Sequence, residues 1–348
     1  MSDNKKRILY FDIARLIGLF GIIICHYLIR ENTYLSFKHI ITLYDVPIFF
    51  VAAGYFMKDI PVKSFIKEKI KSLLIPYLFL AIILFILFVI KGIALGGISG
   101  IEVLGRFLSI LYGSGYNYID SPIHIYVIYG IWFLLGLFFA SIFTRLFLHN
   151  KFRGIIYLGI SLLGYFSRNL IWLPLSIQSG MLATIFVYSG ILLKKYDILN
   201  KIKLKEKLLI CVLFIISVIL SLKFDLNVSI VVGYMSYFVA GFIVSIISVM
   251  FLLVVSMLLE KVPYLNNFLA MLVQNTLVIL LVHLINFHII NYKVLLRAGF
   301  SEDFVIYLSL LFPIVLNIFL IILANKSKFL SKMFNIKLRR EKLSDYIK

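Results

Sequence analysis

The stretch RLIGLFGIIICHYLIR, Arg15 to Arg30, decides how this chain folds. With the residues just before it, it makes an apolar run of about the 20 residues that an α-helix needs to cross a bilayer. Such runs recur along the whole chain of 348 residues, which is 62% hydrophobic and has a mean hydropathy of +1.04. A water-soluble domain of that composition would expose far too much apolar surface. The short alternating segments of a membrane β-barrel are absent from the sequence. The reading is an all-α polytopic integral membrane protein.

Outward from that stretch, ten spans fall near residues 8–29, 38–57, 73–91, 123–143, 155–173, 178–193, 208–222, 229–259, 268–290 and 303–324. The net charge of +19 sets their orientation. With the N-terminus inside, Arg30, Lys38, Lys91, Arg106, Arg168, Lys223, Lys293 and Arg297 lie outside and Arg15 alone lies within a span. All the rest of the 35 Lys and Arg then face the cytoplasm. That is the positive-inside pattern, and the inverse orientation fails it. Both termini are therefore expected in the cytoplasm, and no nucleic acid is needed to explain the basic balance.

Residues 1–325 read as one transmembrane domain, and 326–348 as a basic amphipathic tail on the inner leaflet. The first hydrophobic segment is too long for a signal sequence and lacks a small-residue cleavage site, so it is expected to be retained. Cys25 and Cys211 both fall in spans and are not expected to pair. The 229–259 stretch is long for one span, so it is either strongly tilted or begins with a short re-entrant piece.

The opening stretch also carries charge where lipid makes charge costly. Arg15 and His26 are eleven residues apart, which returns them to nearly one helix face with ~16 Å between them along the axis. Asp12 lies one turn before Arg15 on the same face. Ionisable residues within a membrane usually mark a functional pathway. The plainer alternative is an interfacial Asp12–Arg15 ion pair and a packing histidine. In the second span, ITLYDVPIFFVAAGYFMKD, Asp45 enters early and is expected at about the depth of His26. A carboxylate there either tunes the imidazole as a general base or caps the helix. Pro47 removes a backbone hydrogen bond, and Gly54 permits close helix approach.

These segments resemble the membrane-bound acyltransferase family 3, and within it the fucose 4-O-acetylase-like surface-sugar O-acetyltransferases. FDIARLIGLFGIIICHYL matches the family's opening pattern at Asp12, Arg15 and His26. VPIFFVAAGYFM and FIKEKIKSLLIPY follow in order, the latter through Pro76 and Tyr77. IWFLLGLF at Trp132, LPLSIQSGMLATIFVYSGILLKK at Gly190 and NTLVILLVHLI at His283 complete the set. The resemblance spans roughly residues 8–290.

The resemblance implies an O-acyltransferase that moves an acyl group, by default acetyl, from cytoplasmic acetyl-CoA to a hydroxyl of a cell-surface polysaccharide or lipid-linked glycan. It implies His26 as base or acyl carrier, supported by Asp45, and Arg15 on the phosphates or thioester of the donor. Lys67, Lys69 and Lys71 stand on the inner side where CoA phosphates would dock, or serve as ordinary cytoplasmic anchors. Asp12, Trp132, Tyr116 and His283 are candidate substrate contacts, His283 because its depth matches that of His26. The glycine-rich outer loop 92–122, with Tyr112, Tyr116, Asn117, Tyr118 and Asp120, is the candidate acceptor rim. His39, His124, His149 and His288 are assigned no chemistry. No metal site is expected, since no ligand spacing is present. The expected setting is a bacterial plasma membrane, multi-pass, with acyl-CoA, an extracytoplasmic glycan and the bilayer as partners. A sugar-lipid exporter or flippase is the competing class, although such transporters often show duplicated halves and none is visible. A catalytically dead or sensory member of the same fold is a third.

Overall fold

The computed structural model describes residues 8–30, 35–116, 124–262, 272–286 and 293–334. Helices run in the order α1 Leu9–Arg30, α2 Leu35–Thr42, α3 Pro47–Tyr55, α4 Val62–Lys69, α5 Ile75–Ala94, α6 Gly100–Tyr112, α7 Trp132–Leu146 and α8 Arg153–Ser167. They continue as α9 Ile177–Lys195, α10 Ile198–Lys201, α11 Leu204–Phe224, α12 Val239–Leu259, α13 Thr276–Leu284, α14 Lys293–Arg297, α15 Glu302–Lys326 and α16 Lys328–Met333. Between α11 and α12, β1 Val228–Ser229 and β2 Tyr234–Met235 form a small antiparallel hairpin. Among the described residues, 7 helical stretches are long and apolar enough to cross a membrane: Leu9–His26, Val62–Ala94, Tyr129–Leu146, Ile177–Lys195, Leu204–Phe224, Val239–Leu259 and Asp303–Lys326. The chain is an all-α polytopic membrane protein.

Local chemistry explains where the ten spans read from the sequence take another form. Residues 38–57 are not one helix but α2, a turn and α3, with Pro47 in the first turn of α3. Proline has no N–H to give and is tolerated there, while its ring ends any helix arriving from Thr42. The 155–173 span becomes α8, with 15 residues. The 268–290 span lies partly outside the described residues, which hold α13 of it. The 229–259 stretch opens on the β1–β2 hairpin and a 3-10 turn at Ile230–Val232, and only then becomes α12.

Two segments read as loops are helical. The basic inner segment forms α4 and runs through a π-helical turn, Ile70–Leu74, into α5. Pro76 would clash with the carbonyl four residues back in a regular helix, and the wider π turn relieves it. The glycine-rich loop 92–122 contains α6. Ser99 caps it, accepting the Glu102 N–H at 3.1 Å, and Gly113 ends it in the left-handed conformation at φ 66. Asn117, Tyr118 and Asp120 lie outside the described residues, as do 335–348 of the tail.

The described residues fall into two compact units, one drawn from Met1–Glu68 and Gly136–Val273, the other from Lys69–Leu135 and Gln274–Arg340. The first unit is organised around α9, which small residues let its neighbours approach closely. A Cβ placed on Gly54 of α3 would lie 1.8 Å from the Val187 carbonyl oxygen of α9, and one on Gly190 would lie 1.9 Å from that of Val51. Gly180 faces Gly136 and Ala140 of α7 in the same way, and Gly164 of α8 faces Gln178 and Leu182. Lipid gives helices no hydrophobic reason to associate, so close backbone packing supplies the attraction. On the predicted cytoplasmic side, buried Arg145 donates from Nε to the Ile60 carbonyl at 3.0 Å and pairs with Asp59 at 3.1 Å. His149 meets the same carboxylate at 2.9 Å. These contacts tie the connector after α3 to the end of α7.

Candidate active site

Helix α1 presents its polar residues as the heptad-like spacing requires. Arg15 Nη2 donates to Asp12 Oδ1, three residues earlier. The Asp12 side chain is 3% exposed and that of Arg15 is 35% exposed. Arg15 Nε is buried and, among the described residues, has no acceptor. A guanidinium held by a buried carboxylate, with one N–H left over, is a prepared donor for an anionic or carbonyl oxygen. Half-buried His26 lies on the same face, ~16 Å further along the helix.

Between them sits Asp45. It belongs to the turn joining α2 to α3, and that turn packs directly on the glycines of α1. A Cβ on Gly18 would lie 2.8 Å from the Asp45 carbonyl oxygen, and one on Gly21 would lie 3.2 Å from the Asp45 Cβ. Asp45 is therefore level with Gly18 and Gly21, roughly 7–12 Å deeper along α1 than His26, rather than at its depth. The reason is the broken second helix: the turn at Pro47 lets the chain drop α2 alongside α1 before α3 starts. Asp45 is 4% exposed and accepts the Val46 N–H at 2.6 Å. Among the described residues its hydrogen bonds are to backbone N–H groups of the turn, so its first task is to close that turn.

Lys38 of α2 is a further charged residue on this side, outside the set read from the sequence. Its ammonium acts electrostatically on both His26 and Asp45, and its backbone carbonyl faces the Cys25 thiol at 4.0 Å. From the sequence it counts only among the charges outside. Its place at the mouth of a span, twelve residues after His26, was the available signal.

Lys67 lies in α4 within the first unit, and the other predicted site residues belong to the second. Lys69 closes α4 and Lys71 is exposed in the π turn. Tyr77 is structural, its hydroxyl donating to the Ile110 carbonyl of α6 at 2.6 Å. Trp132 begins α7, buried, edge-on to Phe133. His283 is buried near the end of α13. Gly130, two residues before Trp132, lies against Leu280 and Leu284, so Trp132 and His283 stand on neighbouring elements. Tyr116 is exposed, its N–H bonded to the Ser114 hydroxyl at 3.1 Å. The structure thus gathers Asp12, Arg15, His26 and Asp45 in one unit and Lys69, Lys71, Tyr116, Trp132 and His283 in the other.

These apolar helices keep a paired arginine, a histidine and a buried aspartate within a polytopic membrane protein, where ionisable groups are costly. A family model described as an acyltransferase domain matches residues 8–324, and the chain belongs to that family, the membrane acyltransferases of family 3. It is a membrane acyltransferase, with an acyl donor, an acceptor and the bilayer as its partners. Neither a curated protein nor a solved structure gives a match.

Proposed function

We propose that this enzyme transfers an acyl group, acetyl by default, from cytoplasmic acyl-CoA to a hydroxyl of an extracytoplasmic glycan, either a surface polysaccharide or a lipid-linked precursor. The observation that carries the reading is the order along α1: paired Arg15 with a spare buried N–H, then Asp45, then His26 with Lys38. The ~16 Å between Arg15 and His26 separates the two roles open to the arginine. If His26 works at the thioester carbonyl, Arg15 is too far to hold that carbonyl. It is instead suited to the pantetheine phosphate end, with the extended arm running along the polar face of α1.

His26 takes the proton from the acceptor hydroxyl as its oxygen attacks the thioester carbonyl carbon. Lys38 stabilises the oxyanion that forms there. Collapse breaks the carbon–sulfur bond, and the proton held by His26 passes to the departing CoA sulfur. Asp45 is a positioning residue, fixing the turn that sets α2, and with it Lys38, against α1. Asp12 plays the same part for Arg15.

The test is genetic deletion followed by NMR of the surface glycans, with complementation by wild type and by His26→Ala. The expected result is glycan of normal amount and reduced acylation, restored by wild type and not by His26→Ala. Glycan missing altogether would point to export, and full acylation with His26→Ala would remove the histidine from the reaction.

A further inference from the structure

Helix α6 carries a second set of charged and aromatic groups that acyl transfer leaves unused. Ile101, Leu104, Phe107 and Leu111 recur at helical spacing and are exposed, Ile101 at 73% and Leu111 at 57%. That is the apolar stripe of a helix lying along a membrane interface. The opposite side packs on the segment that follows: Gly105 admits the His124 carbonyl, and the Ser109 hydroxyl accepts the Tyr126 N–H at 2.6 Å.

Arg106 stands beside that packed side. Its guanidinium lies over the Tyr126 ring at 3.7 Å and the Phe88 ring at 4.4 Å, and Nη1 donates to the Tyr129 hydroxyl at 3.3 Å. Nε is buried with no acceptor among the described residues. Among the described residues Arg106 forms no ion pair with a carboxylate, including that of Glu102 one turn earlier. Lys91 of α5 is near enough for the two positive charges to act on each other. Tyr129 reaches the guanidinium from a backbone at φ 54, a strained conformation for an aromatic residue. Aromatic faces thus hold an arginine flat beside a lysine, with no carboxylate paired to that arginine. Such a fork is built for an anion with several oxygens.

The apolar stripe on the same helix says where that anion comes from. A soluble anion has no use for exposed isoleucine, leucine and phenylalanine, whereas a lipid needs both. We propose that α6 forms a binding site for the phosphate of a membrane lipid at the outer interface. The phosphate sits on the guanidinium edge of Arg106, and the lipid chains lie against Ile101, Leu104 and Leu111. The phosphate is that of a phospholipid headgroup or of a phosphorylated carrier bearing the glycan acceptor. The inference rests on the outward orientation of α6 and does not depend on acyl transfer.

Binding is measured by native mass spectrometry on the full-length protein in detergent. The probes are phosphatidylglycerol, a polyprenyl phosphate, diacylglycerol and inorganic phosphate. Both lipid phosphates are expected to bind wild type, with Arg106→Gln about ten-fold weaker and diacylglycerol and inorganic phosphate weaker still. Tighter binding of polyprenyl phosphate identifies an acceptor carrier, and tighter phosphatidylglycerol identifies a headgroup site. Equal binding to wild type and Arg106→Gln, or diacylglycerol or inorganic phosphate binding as tightly as the lipid phosphates, overturns the proposal. If Arg106→Gln does not fold, Arg106→Lys replaces it with a several-fold loss expected, since the planar fork is lost while the charge stays, and unchanged affinity overturns the proposal equally. A wild type that binds lipid phosphate but transfers no acyl group would overturn the proposed reaction and leave this site standing.

Discussion

Replacing Gly54 with alanine tests the packing that places the site. The new Cβ would lie 1.8 Å from the Val187 carbonyl oxygen, 2.7 Å from its carbon and 3.1 Å from the Ile191 nitrogen, all backbone atoms of α9. A Cβ needs about 3 Å at the least, so α3 and α9 must part by roughly 1.2 Å. No side-chain rotation relieves a clash with backbone. Overpacking of this kind costs about 1–3 kcal/mol and more when the backbone must move. At ~2–4 °C per kcal/mol for a protein of this order of size, thermal unfolding in detergent should fall by about 5–10 °C. Gly190→Ala, whose Cβ would meet the Val51 carbonyl oxygen at 1.9 Å, should do the same. Because both glycines sit at one crossing, the double variant should lose clearly less than the sum, since the first Cβ has already opened room for the second. Gly159→Ala of α8 is the control, because nothing lies within 4 Å of its Cβ. It should match or slightly exceed wild type. If Gly54→Ala is as stable as Gly159→Ala, the close α3–α9 crossing is wrong.

Other predictions follow from the site itself. Arg15→Gln should raise the KM for acyl-CoA by about ten-fold or more with a smaller change in kcat, read from initial rates at varied donor. Lys38→Met should do the reverse, lowering kcat by about 10–100-fold with little change in donor KM. Asp45→Asn keeps an oxygen for the Val46 N–H and should hold its unfolding temperature, while Asp45→Ala orphans that N–H and should lose about 1 kcal/mol. A loss of stability in Asp45→Asn equal to that in Asp45→Ala would contradict the turn-closing role.

The class of fold was legible because hydrophobic run length is a direct consequence of bilayer thickness. The polar face of α1 was legible for the same kind of reason, since Asp12, Arg15 and His26 lie on one helix whose geometry is fixed. What the sequence hid depended on neighbours. The depth of Asp45 is set by how the Pro47 turn seats on Gly18 and Gly21, and no periodicity within one segment encodes that contact. Lys38 looked like an ordinary outside charge until α2 was laid beside α1. Helix α6 was different, because its signals were present: Ser99 with Glu102 three residues on, and Gly113 at the end. Glycines at 92, 96, 97 and 100 outweighed them in a composition-based reading. The π turn before Pro76 was also hidden, since a proline after a basic stretch reads equally well as a loop end.

The most direct measurement is label transfer in inside-out membrane vesicles containing the enzyme and its glycan acceptor. Acyl-CoA carrying a labelled acetyl group is added to the exposed cytoplasmic face, and the label is then sought on the glycan facing the lumen. The account predicts labelled glycan with wild type, and none with His26→Ala at equal protein level and unfolding temperature. Unlabelled glycan with wild type, or equal label with His26→Ala, would contradict it.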